Sequence, residues 1–281
     1  MRVLITGICG FIGSHLADAF HAVGHEPFGV DNLATGRREN VPYSYEIDIT
    51  DRREFYDFAN EVKPELVIHC AASYKDPDKW HRDTDVNVAG AINVAAVAKH
   101  HDARIIYFQT VLPPISSYAI SKIAGEHYLR LSGQPLTVSR LASVYGPRNL
   151  SGPIPTFYRR IKAGEPCTVV EGVTRDFVFI DDLVARVLER LGPPLPEKNY
   201  SIDVRTGKET LIGSLPYHIG HVLGISPDVK FVPKPEDDVP HYDMKGTPRI
   251  GVDLEEGLER TVAWYEEHGV SDTYTHLALR G

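Results

Sequence analysis

The stretch that decides the fold is Arg2-Val3-Leu4-Ile5-Thr6-Gly7-Ile8-Cys9-Gly10-Phe11-Ile12-Gly13-Ser14-His15. Its apolar run, Val3 to Ile5, predicts a buried parallel strand, and the amphipathic run from Phe11 to Val23 predicts a helix. Three glycines lie at this strand-to-helix turn: Gly7, Gly10 and Gly13. Glycine allows a tight turn, lets backbone amides approach a pyrophosphate, and lets the helix pack closely on the strand.

The predicted helix directs its unpaired amides and its positive dipole end at the turn, where they favour an anion. The spacing G-x-x-G-x-x-G differs from the G-x-G-x-x-G of the dehydrogenase fingerprint. A glycine turn by itself also has purely structural explanations. Its position between a strand and a helix favours dinucleotide binding.

Composition limits the class of protein. The 281 residues, with 42% hydrophobic and 24% charged, are typical of a soluble globular chain. The net charge of −8 argues against nucleic acid or an anionic membrane as the main partner. We find no long apolar run and no leader before the first strand, so we expect a cytoplasmic protein without a membrane span. Scattered cysteines and histidines predict no metal site.

A second strand, Glu26 to Asp31, ends in a carboxylate that can accept hydrogen bonds from the ribose hydroxyls of NAD. Arg37 and Arg38 follow in a loop and could instead hold the 2′-phosphate of NADP. Asp31 would repel that phosphate, so the sequence favours NAD.

The next segments alternate between apolar strands and amphipathic helices. Thr50 or Asp51 is expected to cap the first of these helices, which ends at Val62, and Ser116 or Ser117 is expected to cap the helix that ends at Leu131. The predicted strands are 43–47, 66–70, 104–109 and 136–141, and the later helices are 85–100 and 116–131. This alternation predicts an α/β fold with a doubly wound parallel sheet of the Rossmann type.

Beyond Tyr145-Gly146-Pro147 prolines and glycines become frequent. We therefore predict a dinucleotide-binding domain over residues 1–145 and a smaller α/β substrate lobe over 146–281, with some later segments returning to the first domain. In the lobe, helices are predicted at 154–163, 182–191 and 254–268, and strands at 167–170, 176–180 and 200–204.

Tyr118 and Lys122 are candidate catalytic residues. Their i, i+4 spacing places both side chains on one helix face. A nearby ammonium lowers the pKa of a phenol, which allows Tyr118 to act as a general acid or base. The pattern is common on helices, but here it follows a dinucleotide turn and a strand that ends near a hydroxyl, that of Thr110.

These stretches together resemble the extended short-chain dehydrogenase/reductases of the nucleotide-sugar epimerase/dehydratase type. The resemblance spans most of the chain, over residues 6–13, 31–37, 69–72, 87–88, 118–122, 140–148 and 174–182. It implies a tightly bound NAD, a nucleotide-sugar substrate, and a homodimer formed through helices 85–100 and 116–131.

The resemblance also implies roles for individual residues. Thr110 would hydrogen-bond the sugar hydroxyl, Tyr118 would be the base, and Lys122 would tune it. The cofactor would be held by Gly7, Gly10, Phe11, Ile12, Gly13, Asp31, Asn32, Gly36, Asp48, Ile49, Ala71, Ala72, Asn87, Tyr118, Lys122, Leu141 and Val144. The substrate would be held by Tyr74, Asn149, Pro155, Phe157 and Arg175.

Within this family the reaction would proceed by transient oxidation of a sugar hydroxyl, usually at C4. Dehydratases carry Asp-Glu directly after the Thr, and decarboxylases carry a Glu there or one step later. This chain has Val111 and Leu112, which cannot carry out the additional proton transfer, so epimerisation is favoured by exclusion, and we expect a UDP-hexose as its substrate. A dehydratase, a decarboxylase and a keto-sugar reductase are the enzymatic alternatives, and a non-catalytic dinucleotide-binding regulator is a remote one.

Two connections, 110–118 and 243–253, are shorter than in the family. One explanation is a true deletion, which would uncover the sugar site. The alternative, which we favour, is that the printed sequence lacks the residues of two loops beside that site, where mobile lids are expected. The segment 234–238 is mostly acidic, although a basic residue is usual there.

Overall fold

The computed structural model describes residues 1–73, 80–112, 114–191, 199–233 and 251–270. The chain forms two compact units, one of residues 1–141 and 184–203 and the other of residues 142–183 and 204–281. Residues 184–203 belong to the first unit. We expected from the sequence that some later segments would return to that unit. The assignment of the second unit to substrate binding stays a prediction.

The first unit contains a seven-stranded sheet with helices between its strands. Its strands are β1 (Arg2–Thr6), β2 (Glu26–Asp31), β3 (Tyr45–Glu46), β4 (Leu66–His69), β5 (Arg104–Thr110), β6 (Leu136–Leu141) and β10 (Asn199–Val204). Its helices are α1 (Phe11–Ala22), α2 (Arg52–Val62), α3 (Trp80–Asp83), α4 (Gly90–His101) and α5 (Ser117–Leu131), with a π-helical segment, Thr84–Ala89, between α3 and α4.

The order of the strands is β10-β6-β5-β4-β1-β2-β3. The pairs β1–β2, β1–β4, β2–β3, β4–β5 and β5–β6 are all parallel. The order reverses beside β1, which is where a doubly wound sheet binds its ligand at the carboxyl ends of the strands. The predicted doubly wound fold is confirmed.

Buried apolar side chains from the strands pack against the helices. Leu4, Val67, Ile105 and Val138 of four adjacent strands belong to one core cluster with residues of α2 and α4. Because these parallel strands are covered by helices, their sequences are almost continuously apolar. The core therefore holds the strand ends, and the residues just beyond them, in fixed positions.

The second unit contains two small sheets, β11-β9-β7 and β12-β8. Its strands are β7 (Ser143–Tyr145), β8 (Cys167–Val170), β9 (Thr174–Phe179), β11 (Glu209–Leu211) and β12 (Val229–Val232). Its helices are α6 (Pro153–Ala163), α8 (Leu215–Leu223) and α9 (Leu254–His268), while α7 (Ile180–Glu189) contributes residues to both units. Strands β7, β11 and β12 and helix α8 were not predicted.

The predicted N-caps of α2 and α5 agree with the structure, whereas one predicted helix has a wrong start. Asp51, one of the two predicted caps of α2, accepts a hydrogen bond from the amide of Glu54 at 3.0 Å. Ser116 caps α5 through the amide of Ala119 at 3.2 Å. The helix predicted over 85–100 was wrong at its start: helical structure is already present at Trp80, the first described residue of this segment, and it includes a π segment, which apolar periodicity does not reveal. Among the described residues, no helix is long and apolar enough to cross a membrane.

Gly125 allows α5 to approach the π-helical segment closely. A Cβ at this position would overlap the carbonyl oxygen of Asn87. We therefore expect Gly125→Ala to lower the free energy of unfolding by roughly 1–3 kcal/mol, because overpacking outweighs the helix propensity of alanine. Urea denaturation monitored by circular dichroism measures this difference.

The matched control is Gly133→Ala. Gly133 has φ of 78°, and a Cβ added there would have no atom within 4 Å. An alanine at this position would therefore meet no steric clash, and its left-handed backbone would cost about 1 kcal/mol. A Gly125→Ala protein as stable as the wild type would show that the close approach is not required.

Candidate cofactor and catalytic site

The glycine turn brings three backbone segments into contact. Gly7 has φ of 68°, and a Cβ there would lie 2.7 Å from the amide nitrogen of Ala71, at the end of β4. A Cβ on Gly13 would overlap the carbonyl oxygen of Gly7. Gly10 is the N-cap of α1, where no side chain supplies a capping hydrogen bond. The turn thus offers backbone at the end of a helix dipole and has no room for a side chain at position 7 or 13.

Asp31 is buried and organises the loop beside this turn. Its Oδ2 accepts from the amide of Cys9 at 3.0 Å, and its Oδ1 accepts from the amide of Leu33 at 2.8 Å. Burial raises the pKa of Asp31, and these amides oppose that shift. A Cβ on Gly36 would lie 2.7 Å from Oδ2. The carboxylate is therefore fixed at the end of β2.

Arg38, which the sequence offered as a possible ligand of a 2′-phosphate, is engaged with β3. Its Nη2 lies 2.7 Å from a carboxylate oxygen of Glu46, and its Nη1 donates to the carbonyl of Ser44 at 3.1 Å. The guanidinium of Arg38 is thus paired with the carboxylate of Glu46 and not placed to hold a 2′-phosphate, which agrees with the preference for NAD.

The loops that follow β2 and β3 contain three more predicted cofactor residues: Asn32 in the first, and Asp48 and Ile49 in the second. Asn32 donates to Oδ2 of Asp48 at 2.7 Å, so this amide joins the loops that follow β2 and β3. Burial raises the pKa of Asp48, but hydrogen bonds from Asn32 and Thr50 together lower it by more, so the net shift of the pKa is downward. Ile49 is buried, and its carbonyl accepts from Nδ2 of Asn93 at 2.8 Å.

The end of β4 is fixed by a polar pair to which sequence reasoning assigned no role. Oγ1 of Thr6 lies 2.8 Å from Nδ1 of His69 and accepts from the amide of Ala71 at 3.3 Å. Burial lowers the pKa of His69 to about 3, so its ring is neutral. The available signal was a polar residue at the end of each of two apolar strands, Thr6 in β1 and His69 in β4, which are paired in register. Ala72 follows, partly exposed.

Asn87, in the π-helical segment, joins the end of β4 to α5. Its Oδ1 accepts from the amide of Ser73, and its Nδ2 donates to the carbonyl of Ser73, both at 2.9 Å. The same Nδ2 lies 3.0 Å from Oγ of Ser121, which donates to the carbonyl of Tyr118 at 2.9 Å. The backbone of the predicted base is therefore connected to the predicted cofactor loop.

Lys122 is almost completely buried, with 3% of its surface exposed. Its Nζ lies 4.0 Å from the centre of the Tyr107 ring, a cation–π contact. Burial lowers the pKa of Lys122 to about 7. A buried cation with so low a pKa is typical of functional sites.

Thr110 ends β5, and Tyr118 is the second residue of α5. Both are partly exposed, and both belong to the first unit with Lys122. Oγ1 of Thr110 accepts from the amide of Leu112 at 3.1 Å. Each of the three predicted catalytic residues is thus at the end of β5 or in the first two turns of α5.

A sequence profile of the NAD dependent epimerase/dehydratase family matches residues 3–194. The chain belongs to this family. The family description itself confirms the predicted enzyme family and NAD as the cofactor. The glycine cradle, the side-chain-free N-terminus of α1 and the fixed carboxylate of Asp31 fit NAD.

Similar proteins match this chain over nearly its whole length. A putative UDP-glucose 4-epimerase of Methanocaldococcus jannaschii is 30% identical over 306 residues, covering 95% of this chain and 99% of that protein. UDP-glucuronic acid decarboxylase 1 of Xenopus tropicalis is 27% identical over 97% of this chain and 75% of that protein. The Bordetella bronchiseptica enzyme WbmG, solved in complex with NAD and UDP, is 35% identical with a TM-score of 0.89 over 99% of each chain.

The M. jannaschii alignment is longer than this chain, at 306 against 281 residues. That epimerase relative therefore has residues inside the matched span that this chain lacks, which is consistent with the two short connections noted in the sequence. Residue 113 of the first connection and residues 243–250 of the second lie outside the described residues, as do the acidic segment 234–238 and Tyr74.

The other predicted substrate residues of this family member lie in the second unit. Asn149, Pro155 and Phe157 are buried. Asn149 donates to the carbonyl of Val144 at 3.3 Å and accepts from the amide of Ser151 at 2.9 Å. Arg175, partly exposed on β9, donates to the carbonyl of its neighbour Thr174 at 2.8 Å.

Two residues predicted to lie near the nicotinamide fall on either side of the unit boundary. Leu141 ends β6 in the first unit, and Val144 lies in β7 of the second unit. Both are partly exposed. A cofactor role for either one stays a prediction.

The buried Lys122 generates a prediction about stability. Its pKa is about 7 in the folded chain, below the ordinary 10.5, so unfolding takes up protons between these pH values and stability rises with pH there. Below pH 7 the folded chain carries the full cost of a buried cation. We expect Lys122→Met to raise Tm at pH 6 and to raise it less at pH 9, measured by calorimetry without cofactor.

Lys230→Met is the control, because Lys230 is exposed on β12. It should leave Tm nearly unchanged at both pH values. If Lys122→Met instead lowered Tm at pH 6 by more than at pH 9, the burial cost assigned to the ammonium would be wrong.

Proposed function

We propose that this enzyme epimerises a nucleotide-activated sugar, a UDP-hexose at C4, by transient oxidation to a 4-keto sugar. The observation that carries the proposal is the apolar pair Val111 and Leu112 directly after Thr110. Elimination and decarboxylation in this family need a carboxylate there, and these two side chains can neither give nor take a proton. The M. jannaschii relative is named a putative UDP-glucose 4-epimerase, and a Mycolicibacterium smegmatis relative, 29% identical over 94% of this chain, is named a UDP-glucose 4-epimerase. Both names support the same reaction.

In this proposal Tyr118 takes the proton of the C4 hydroxyl when the keto sugar forms and returns it when the sugar is reduced. Lys122, when protonated, favours the phenolate of Tyr118 electrostatically. Oγ of Thr110 hydrogen-bonds the same sugar hydroxyl and holds its oxygen toward the base. NAD, when bound, supplies a reversible hydride acceptor. Gly7, Gly10 and Gly13 would hold its pyrophosphate and Asp31 its adenosine ribose.

The predicted substrate residues of the second unit would bind the nucleotide. A guanidinium can hold two phosphate oxygens at once, so Arg175 is proposed for the diphosphate. Pro155 and Phe157 are buried, so we propose that they support the base through backbone atoms and packing rather than through an exposed ring. Asn149 would contribute through the loop that its amide organises.

The proposal is tested by NMR product analysis with UDP-glucose, UDP-galactose, UDP-glucuronate, dTDP-glucose and GDP-mannose. We expect inversion at C4 of a UDP-hexose, with no net consumption of cofactor. Release of CO2 from UDP-glucuronate would favour a decarboxylase, and a stable 4-keto product would favour a dehydratase. Tyr118→Phe should lower kcat at least 100-fold, because it removes the acid–base group.

Tyr217→Phe is the matched control, since Tyr217 is exposed in the second unit and has no proposed role. Its kcat should equal that of the wild type. Full activity of Tyr118→Phe would remove Tyr118 from the reaction and favour the non-catalytic alternative.

We also propose a homodimer through α4 and α5. Ile120, Tyr128 and Leu131 of α5 are 55%, 42% and 77% exposed, and they lie along one stripe of that helix. Ile92 of α4 is 39% exposed. An apolar stripe of this kind marks an interaction surface, and a second copy is the occupant that the family resemblance implies.

Light scattering after size-exclusion chromatography tests this surface. The wild type is expected to elute as a dimer, and Ile120→Glu with Leu131→Glu is expected to elute as a monomer because two buried charges would be unpaired. Tyr217→Glu adds a charge at an exposed aromatic residue outside the stripe and should leave the dimer intact. A monomeric wild type would contradict the proposal.

A further inference from the structure

Gln109 is a buried amide between two of the proposed catalytic residues. Only 4% of its surface is exposed, and it immediately precedes Thr110 in β5. Its Oε1 accepts from the amide of Thr110 at 2.9 Å. Its Nε2 donates to the carbonyl of Lys122 at 3.1 Å and to Oε2 of Glu126 at 3.0 Å. One side chain therefore bonds the end of β5 and the second turn of α5.

Tyr107 gives a second bond to the same point on α5. Its hydroxyl donates to the carbonyl of Lys122 at 2.9 Å. Tyr107 and Gln109 are two apart on β5, so they project from the same face of the sheet. The carbonyl of Lys122 thus receives two side-chain donors from one strand, and this limits sliding of α5 along β5.

Glu126 connects Gln109 to the rest of the first unit. Its Oε1 accepts from Nε and Nη2 of Arg130 at 2.9 and 2.6 Å. Nη2 of Arg130 also donates to Oγ of Ser201 in β10 at 3.3 Å. The carboxylate is therefore anchored independently of Gln109, and each polar atom of the Gln109 amide has a partner, as a buried network requires.

We propose that Gln109 is a positioning residue that holds Thr110 and Lys122 at a fixed separation for the sugar oxidation. This inference rests on the proposed function, because it takes Thr110 and Lys122 as parts of the reacting site. Gln109 itself contacts neither substrate nor cofactor in this proposal. It acts through the backbone of both residues, and a small displacement of either one costs rate rather than substrate affinity.

Gln109→Met tests the role while it keeps the length of the side chain and removes its hydrogen bonds. We expect kcat to fall 10- to 100-fold with KM for the nucleotide sugar within threefold of the wild type. Ser132→Ala is the control, since it removes a buried hydroxyl that donates to the carbonyl of Leu129 at 2.6 Å in the same unit. If both variants lost kcat equally, the effect would be general destabilisation and the inference would be overturned.

A swap of two residues provides a rescue experiment. In Gln109→Glu, two carboxylates face each other at positions 109 and 126, so activity should fall by at least as much as in Gln109→Met. Adding Glu126→Gln restores an amide–carboxylate pair in the reverse direction, and the Thr110 amide keeps its acceptor. A carboxylate at position 109 still has no hydrogen to donate to the carbonyl of Lys122, so that bond stays lost. We expect the double variant to exceed Gln109→Glu at least twofold in kcat and to stay below the wild type. Recovery to the wild-type kcat would overturn the inference, because the bond to Lys122 would then be dispensable, even if Gln109→Met failed to fold.

A measurement without substrate separates this inference from the proposed function. Hydrogen exchange of the Thr110 amide, followed in the NAD-bound protein, should be at least tenfold faster in Gln109→Met and unchanged in Ser132→Ala. If the wild type converts none of the sugars, the proposed function fails, while faster exchange still supports the bracing of Thr110. Unchanged exchange at Thr110 would overturn the bracing itself.

Discussion

The close approach of backbone at Gly7 is the constraint on which the cofactor site depends. Gly7 lies against the amide of Ala71, and Gly13 lies against the carbonyl of Gly7, with no space for a Cβ at either position. Thus β1, the start of α1 and the end of β4 meet at backbone distances. The amides at a helix N-terminus attract an anion only at close range. Because this packing leaves no side chain at Gly7 or Gly13, an anion can approach the start of α1 closely.

A buried cation is the second constraint, and it opposes stability. Lys122 is held in the core of the first unit at a pKa of about 7, so at neutral pH it exchanges easily between charged and neutral forms. The Tyr107 ring beneath its Nζ and the two donors on its carbonyl fix the lysine without neutralising it. Burying the Lys122 ammonium lowers the stability of the fold, but it also lowers the pKa of this residue. Such a loss of stability is common where a function needs an unfavourable charge.

Local signals carried most of what could be predicted. The alternation of strands and helices, the caps at Asp51 and Ser116, and the pair Tyr118 and Lys122 follow from short-range patterns of apolar, glycine and capping residues. The π-helical segment, α8 and the bracing by Gln109 could not be predicted in this way. They depend on contacts between distant residues, and Pro216 and Gly220 inside α8 also obscure its helical pattern. Roles of Asn149 and Arg175 remain predictions because ligand contacts depend on tertiary geometry.

The division into two units explains why reaction class was easier to infer than substrate. Thr110, Tyr118 and Lys122 all belong to β5 or α5, so their geometry is determined by one strand–helix pair and its braces. In the proposed function a sugar and its nucleotide are recognised instead by side chains scattered through the second unit, among them Arg175. The same strand–helix pair could therefore serve different sugars, and the identity of the residues just after Thr110 becomes the most informative feature of the reaction. In the proposed function, an apolar pair there restricts the site to oxidation of the sugar and return of the hydride.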